Sequence, residues 1–318
     1  MDNKPVVSVI CLTYNQEEYV RDCLEGFLSQ QTDFPYEVLI YDDASTDSTP
    51  DIIREYAEKY PSIIKPTLYK VNNYSQGLGF VGLYTGIKEA SGTYVAYCEG
   101  DDYWTDPHKL QKQVDFLDAN SGYSICAHET IVINDSGKDK KELLFSDFNK
   151  GSFVPMNKET YTFDDALAGN IFHVSSLMYR NREICLPVWI SRVSACDMVL
   201  FKMLAKDGYI YVMPDIMSVY RNHSDSLTNN FKEYTSVINF YELSIKVLRL
   251  LNRYWAREYQ ARIYPLVSRY YVECALASIH RKNLGITKVK EAALLSWYYD
   301  KRVFARFFLK GMIVKVIR

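Results

Sequence analysis

Residues 94–104 read YVAYCEGDDYW, an apolar and aromatic run that ends by placing Glu99, Asp101 and Asp102 within four positions. Like charges crowded at the edge of a core repel unless something positive sits among them. Glu99 and Asp101 are two residues apart, so on an extended chain they share a side. That is a poor match for a glycosidase, whose two carboxyl groups flank a sugar at roughly 5–9.5 Å. It suits a hard cation with oxygen ligands. The bland alternative is a solvated acidic turn, which the buried-looking strand in front of it disfavours.

Such a cluster needs elements that hold it at one edge of a core. VVSVICL (6–12) and YEVLIYDD (36–43) are short, β-branched runs suited to buried strands. Between them, Tyr19, Val20, Cys23, Leu24, Phe27 and Leu28 recur at helical spacing over 17–30. After the second strand, Thr49 is placed as a cap and Pro50 at the first helical position, with Ile52, Ile53, Tyr56, Ala57 and Tyr60 facing inward. A third strand near 63–71, a third helix near 80–90 and the strand YVAYC complete the pattern. This is α/β order: parallel strands, right-handed crossovers, helices on both faces. Ligands in such sheets bind beyond the carboxyl ends of the strands, where TYNQEE, YDDASTD and CEGDDYW all fall.

Several classes are excluded. CLTYNQEE has no glycine, so the dinucleotide fingerprint is absent, as is a phosphate-binding P-loop. A nucleotidyltransferase, which shares the layered sheet and stands as the enzymatic alternative, would need a glycine-rich basic loop there. The net charge of −2 gives no footprint for nucleic acid. Seven cysteines without a C-x-x-C pair suggest neither a disulfide framework nor structural zinc. With no signal-peptide pattern and no run of about 18 apolar residues, the expectation is a soluble, cytoplasmic protein.

VSVICLTYNQEEYVRDCLEGFLSQ, YEVLIYDDASTDSTPDII and GTYVAYCEGDDYWTDPHKLQKQ, in that order, resemble the donor-binding half of family 2 glycosyltransferases with the GT-A fold. The similarity is strong over 6–120 and moderate over 170–226. It implies transfer of a sugar from a nucleotide diphosphate donor to an acceptor hydroxyl, with inversion and a divalent metal, Mn2+ or Mg2+. By the same resemblance, Leu12, Thr13 and Tyr14 pack on the base, and a flat ring supplies stacking there. Asp43 accepts from a uracil imide, which favours UDP-sugars, and Glu17 is a further acid of that pocket, whereas Asp42 either binds or braces the following turn. Glu99 stands where an acid contacts the ribose. Asp101, with Asp102 as its competitor, stands where an acid binds the metal that bridges the phosphates.

The second half then serves the acceptor. HVSSLMYR (173–180) reads as a strand, and residues 194–223 as a helix followed by a strand. Met198, Val199, Met203 and Leu204 give that helix a buried face, and Asp197 stands at its start. An acid there is favoured by the helix dipole alone; the resemblance makes it the catalytic base, with Asp165 and Asp207 as competitors. YRNH resembles the family's closing Y-R-x-H, which makes His223 a metal or phosphate contact and lets Arg221 pair with the diphosphate or brace the acidic loop.

Beyond about 230, apolar residues at helical spacing (Ile245, Leu248, Leu251; Leu266, Tyr270, Cys274, Ala277) indicate helices. The Gln-x-x-Arg-Trp signature of processive synthases is absent, which points to one sugar per encounter. KRVFARFFLKGMIVKVIR (301–318) has six Lys or Arg and no acid. It reads either as an interfacial helix on anionic lipid at the inner face of the membrane, or as a packing helix with a solvated basic face. The expected organisation is a donor half (1–120), an acceptor half (121–230) and a helical C-terminal region (231–318). The resemblance further implies a saccharide or lipid-linked saccharide acceptor, as in bacterial surface polysaccharide synthesis. A catalytically degenerate nucleotide-sugar binding module is the non-enzymatic alternative.

Overall fold

β-Branched runs and amphipathic stretches alternate through the first part of the chain. In a computed structural model they become β1 (Val7–Thr13), α1 (Val20–Leu28), β2 (Tyr36–Asp42), α2 (Thr49–Lys59), β3 (Ile64–Leu68), α3 (Val81–Glu89) and β4 (Tyr94–Glu99). The structure describes residues 4–134, 142–149, 153–193, 196–223, 234–280 and 286–308. After β4 come β5 (Tyr103–Trp104), α4 (Lys109–Ala119), β6 (Tyr123–Asn134), β7 (Glu142–Leu144) and α5 (Phe145–Phe148). Then follow β8 (Thr160–Tyr161), α6 (Phe163–Ala168), β9 (Met178–Arg180), α7 (Cys196–Ala205) and β10 (Tyr209–Asn222).

The strands form one sheet in the order β3-β2-β1-β4-β9-β6-β10-β5, with β7 paired to β6 and β8 to β10. β3, β2, β1 and β4 run parallel. β9 is inserted antiparallel between β4 and β6, with Ala96 and Cys126 both opposite Met178. β6 and β10 then resume the common direction. A boundary at 120 therefore falls within a continuous sheet, because β4 and β6 share β9. Val7, Val9, Cys11, Val38, Ile40 and Ala96 are among the buried residues of the core under α1, α2 and α4. Burying this apolar surface is the main favourable contribution to folding.

Two local expectations change. Residues 174–176 form a 3₁₀ turn, not a strand, and only Met178–Arg180 is extended. The His173 ring accepts from the Ser175 N–H at 3.4 Å, and the Ser176 hydroxyl donates to the His173 carbonyl at 2.6 Å. Such local bonds compete with the sheet ladder. Thr49 is the first helical residue of α2 and not its cap: its hydroxyl accepts from the Gln16 N–H at 2.8 Å. The α2 N-terminus is satisfied instead by Glu17, which accepts from Ser48 N–H at 2.8 Å, and by Asp47, which accepts from Thr49 N–H at 3.0 Å.

The chain forms two compact units, Met1–His223 and Ser224–Arg318. The second is built from α8 (Tyr234–Tyr254), α9 (Gln260–His280) and α10 (Ile286–Tyr299), with α9 packed on both others. Ile245, Leu248, Leu251, Tyr270, Cys274 and Ala277 are buried as their spacing predicts, whereas Leu266 is half-buried beside fully buried Ile263 and Val267. No helix among the described residues is long and apolar enough to cross a membrane. Residues 309–318 of the basic tail lie outside the described residues.

Candidate functional site

The carboxyl ends of β1 and β2 form a stitched wall. The Thr13 hydroxyl donates to Asp42 Oδ1 at 2.9 Å, and Asp42 also accepts from the Ser45 N–H at 2.9 Å and the Ser45 hydroxyl at 2.6 Å. Asp42 is buried and braces the turn that follows it. Asn15 N–H donates to Ser45 Oγ at 2.8 Å, and Asn15 Oδ1 accepts from Thr46 N–H at 2.8 Å. Asn15 and Ala44 both take positive φ, 51° and 60°. For alanine this backbone region is costly, and the two strained residues sit at the two loop tips. Asp43 Oδ1 accepts from the Asn73 backbone and side-chain N–H groups at 2.9 and 2.8 Å, and Oδ2 accepts from Tyr74 N–H at 2.9 Å. Tyr14 stands out from this wall, 46% exposed. Glu17 is exposed and spends one oxygen on the start of α2.

The acidic end of β4 lies against the same wall. Gly100 N–H donates to the Leu12 carbonyl at 3.0 Å. A Cβ on Gly100 would come within 2.5 Å of Gln16 Oε1 and 2.6 Å of Thr13 Cγ2. The glycine between the acids is thus a packing requirement. Among the described residues, the Glu99 carboxyl takes one hydrogen bond, from the Tyr97 hydroxyl at 3.2 Å. Burial, followed by the charges of Asp101 and Asp197, pushes its carboxyl up to about 8.

Asp101 and Asp102 face different partners. Asp101 Oδ2 lies 3.1 Å from His223 Nε2, joining residues 122 apart in sequence. Asp102 turns inward, 1% exposed, and accepts from Arg221 N–H at 3.0 Å. Its Oδ2 has no hydrogen-bond partner among the described residues and lies 3.6 Å from His173 Nδ1, beyond hydrogen-bond range. Burial raises the Asp102 carboxyl well above its ordinary value and lowers His173 to about 3. His173 stacks on Tyr220 at 4.2 Å. Arg221 braces the acidic loop: its guanidinium donates to the Asp101 carbonyl at 3.0 Å, pairs with Asp22 and lies 4.3 Å from the Tyr103 ring centroid.

Asp101 and His223, with side chains only 14% and 10% exposed, offer one oxygen and one imidazole nitrogen to a divalent cation. No three His, Cys, Asp or Glu side chains among the described residues converge to hold an ion by themselves. The pair fits a cation whose remaining ligands come from phosphate oxygens and water. Asp102 gives one oxygen to Arg221 N–H, and its other faces His173.

Asp197 opens α7, with Met198, Val199, Leu200 and Leu204 buried along the helix. Met203 is half-buried, and Lys202 occupies the interior instead, donating to the Ala166 carbonyl at 2.8 Å. Burial raises the Asp197 carboxyl above its ordinary value, and its charge acts on both Glu99 and Tyr97. Of its competitors, Asp165 is spent on capping α6: it accepts from Thr162 N–H and hydroxyl, both at 2.8 Å, and pairs with Lys158. Asp207 follows α7 in a turn, exposed. The sequence reading missed His173, Tyr97 and Tyr19, whose ring lies 4.7 Å from His223. A histidine beside two serines in FHVSS was the available signal for the first; the other two carry none.

The pattern for glycosyl transferase family 2 matches residues 8–185, stopping short of Asp197 and the YRNH motif. Uncharacterized proteins of Mycobacterium tuberculosis and Mycobacterium bovis are 38% identical over 241 residues, 74% of this chain. The chain spans 64% of the length of those relatives. A putative teichuronic acid biosynthesis glycosyltransferase of Bacillus subtilis, TuaG, is 28% identical over 260 residues, 79% of this chain and 93% of that one. Among solved structures, residues 1–349 of S. aureus TarS in complex with UDP-GlcNAc align over 98% of this chain and 92% of theirs, with TM-score 0.57 and 18% identity. The mannosyltransferase PcManGT of Pyrobaculum calidifontis, in complex with GDP-Man and Mn2+, aligns over 98% of this chain and 87% of its own, with TM-score 0.51 and 19% identity. These two show a shared GT-A fold: a curled, mainly parallel sheet flanked by helices. The family pattern covers more than half of the sequence, and the chain belongs to glycosyl transferase family 2.

Proposed function

We propose that the chain transfers a single sugar, with inversion, from a UDP-sugar to a hydroxyl of a saccharide or lipid-linked saccharide acceptor in surface polysaccharide synthesis. One observation carries this reading: the carboxyl end of β4 juxtaposes Glu99 with the Asp101–His223 pair and with Asp197. The sequence likeness to TuaG supports the polysaccharide context.

In this reading the base stacks on Tyr14, beside Leu12 and Thr13. Asp43 already accepts three N–H donors, which leaves about one of its four lone-pair sites for an imide N–H. Glu99 holds the ribose hydroxyls, and protonation near neutrality lets it donate as well as accept. Glu17 keeps the wall in place through α2. Asp101 and His223 hold the divalent cation, Mn2+ or Mg2+, which supplies charge neutralisation of the diphosphate when bound. Arg221 acts on the diphosphate indirectly, by fixing the backbone of Asp101 and Asp102. The acceptor oxygen attacks the anomeric carbon as the bond to the diphosphate oxygen breaks, and the hydroxyl proton passes to Asp197. Proton transfer of this kind is worth about 10²–10⁴-fold. Contact of the basic C-terminal tail with anionic lipid on the cytoplasmic side would bring the enzyme to a lipid-borne acceptor.

The test is a panel of nucleotide sugars assayed for transfer and for slow donor hydrolysis. UDP-sugars should be turned over, EDTA should abolish turnover, and Mn2+ or Mg2+ should restore it. Full activity after exhaustive chelation, or tighter binding of GDP than UDP, would overturn the corresponding part.

A further inference from the structure

α10 presents two unlike faces. On the inner one, Ser296 is buried with its hydroxyl 3.0 Å from that of Ser268 in α9, and Tyr299 meets the rings of Tyr264 and Tyr271 at 5.1 and 5.8 Å. At about 100° per residue, Lys290, Leu294, Trp297 and Tyr298 fall roughly 100–200° round from Ser296; Lys301 follows the extended Asp300 that ends the helix. They form one stripe on the opposite side. Leu294 is 68% exposed, Trp297 47% and Tyr298 73%, and Lys301 Nζ lies 4.4 Å from the Trp297 ring centroid. Three large side chains on one exposed stripe are more than scattered surface apolarity.

The chemistry around the stripe identifies what would cover it. Arg302 and Arg306 are exposed just beyond it, and no acid occurs from residue 301 to 318. Glu291 lies at its rim, three residues before Leu294. Tryptophan and tyrosine seat at the headgroup level of a bilayer, where ring and polar edge are both satisfied. Leucine reaches the acyl boundary, and lysine and arginine meet anionic headgroups. A helix of 14 residues is too short to span a bilayer but long enough to lie in its surface. We propose that the Leu294–Trp297–Tyr298 stripe of α10, with Lys301 set over Trp297 from just beyond the helix end, is a docking surface for an anionic lipid bilayer. It deepens the reading above, on which its purpose rests, by naming the lipid-facing residues of the C-terminal unit; lipid binding itself needs no catalysis.

The full chain is floated with vesicles of phosphatidylcholine alone or mixed with phosphatidylglycerol. It should rise with the anionic vesicles only, and less so as salt increases. The double variant Trp297→Gln/Tyr298→Gln should lose about tenfold or more of this partition with UDP binding and melting temperature unchanged. Lys301→Glu/Arg302→Glu, which leaves the aromatic pair intact, should show a similar loss and decides the matter if the first variant misfolds. Brominated lipid should quench wild-type fluorescence more than that of Trp297→Phe. Absence of flotation, or flotation insensitive to both double variants, overturns the proposal. So does a dimer that the aromatic variant dissolves while vesicles are ignored, since the stripe is then a protein contact. A chain that floats but transfers no sugar defeats the function proposed above and leaves this surface standing.

Discussion

At the ends of β1 and β2, Asp42 and Asp43 accept six hydrogen bonds between them, three by Asp42 from Thr13 and Ser45 and three by Asp43 from Asn73 and Tyr74. At the end of β4, Glu99 accepts one at 3.2 Å, and one buried oxygen of Asp102 accepts none, among the described residues. Both groups are acids at the same edge of the same sheet. The first has its charge met by fixed donors. The second is desolvated beside like charges, so its carboxyls rise. A site of this kind is poised for a ligand that brings positive charge or takes a proton. The contrast separates acids whose charge is met inside the fold from acids whose charge is left unmet.

The largest effect that tests it is at Asp197. Asp197→Asn should lower kcat by at least about 100-fold with UDP affinity little changed. A general base must be ionised, and burial raises this carboxyl, so wild-type kcat should climb with pH through a limb above the ordinary carboxylate range, a limb the variant lacks. The variant should also be the more stable protein near neutral pH. The folded state holds a proton that the unfolded state releases, so stability falls as pH rises between the ordinary and the raised value, and the amide removes that loss. Near-normal turnover, or a destabilised variant, would erase the distinction.

Asp101→Asn should raise the Mn2+ or Mg2+ concentration needed for half-maximal turnover by at least about tenfold, read by metal titration. Asp102→Asn should shift it far less, because Asp102 serves the Arg221 backbone. Asp42→Ala should behave in the opposite way to Asp197→Asn: a loss of about 2–4 kcal/mol in denaturant unfolding, from the stranded donors of Thr13 and Ser45, with kcat per folded molecule within about twofold. The smallest effect is at Ala44. Relief of its positive φ by Ala44→Gly should outweigh the added chain entropy by about 0.5 kcal/mol. A loss of stability there would mean the loop tip is held by more than its backbone.

How much of this was legible depends on how local the cause is. β1 to β4 and α1 to α3 follow from runs and periodicities contained within each segment, as does the acid cluster. The orientation of each acid does not. Asp102 faces inward because of an N–H that lies 119 residues away, and Asp101 outward toward a histidine 122 away. Thr49 has the type and place of a helix cap, yet its hydroxyl answers a loop 33 residues earlier. The 3₁₀ turn after His173 has strand-like composition in HVSSLMYR, while its own backbone bonds, from Ser176 to His173 and Leu177 to Val174, are backed by side chain to backbone bonds that composition does not reveal. The long β6 has no chemistry-bearing motif, and it is positioned by pairing on both sides.

β9 has a consequence for how the chain reaches this state. Three residues, Met178–Arg180, are wedged between β4 and β6. Until they are synthesised and in place, the parallel N-terminal strands end in an open edge at β4. Such an edge offers unpaired backbone groups to any other strand, and the contact that seals it spans more than 80 residues of sequence. Loop closure over that distance slows folding. A fragment ending near residue 120 should therefore aggregate instead of folding as a half-domain, and a nascent chain would depend on chaperones until β9 emerges from the ribosome.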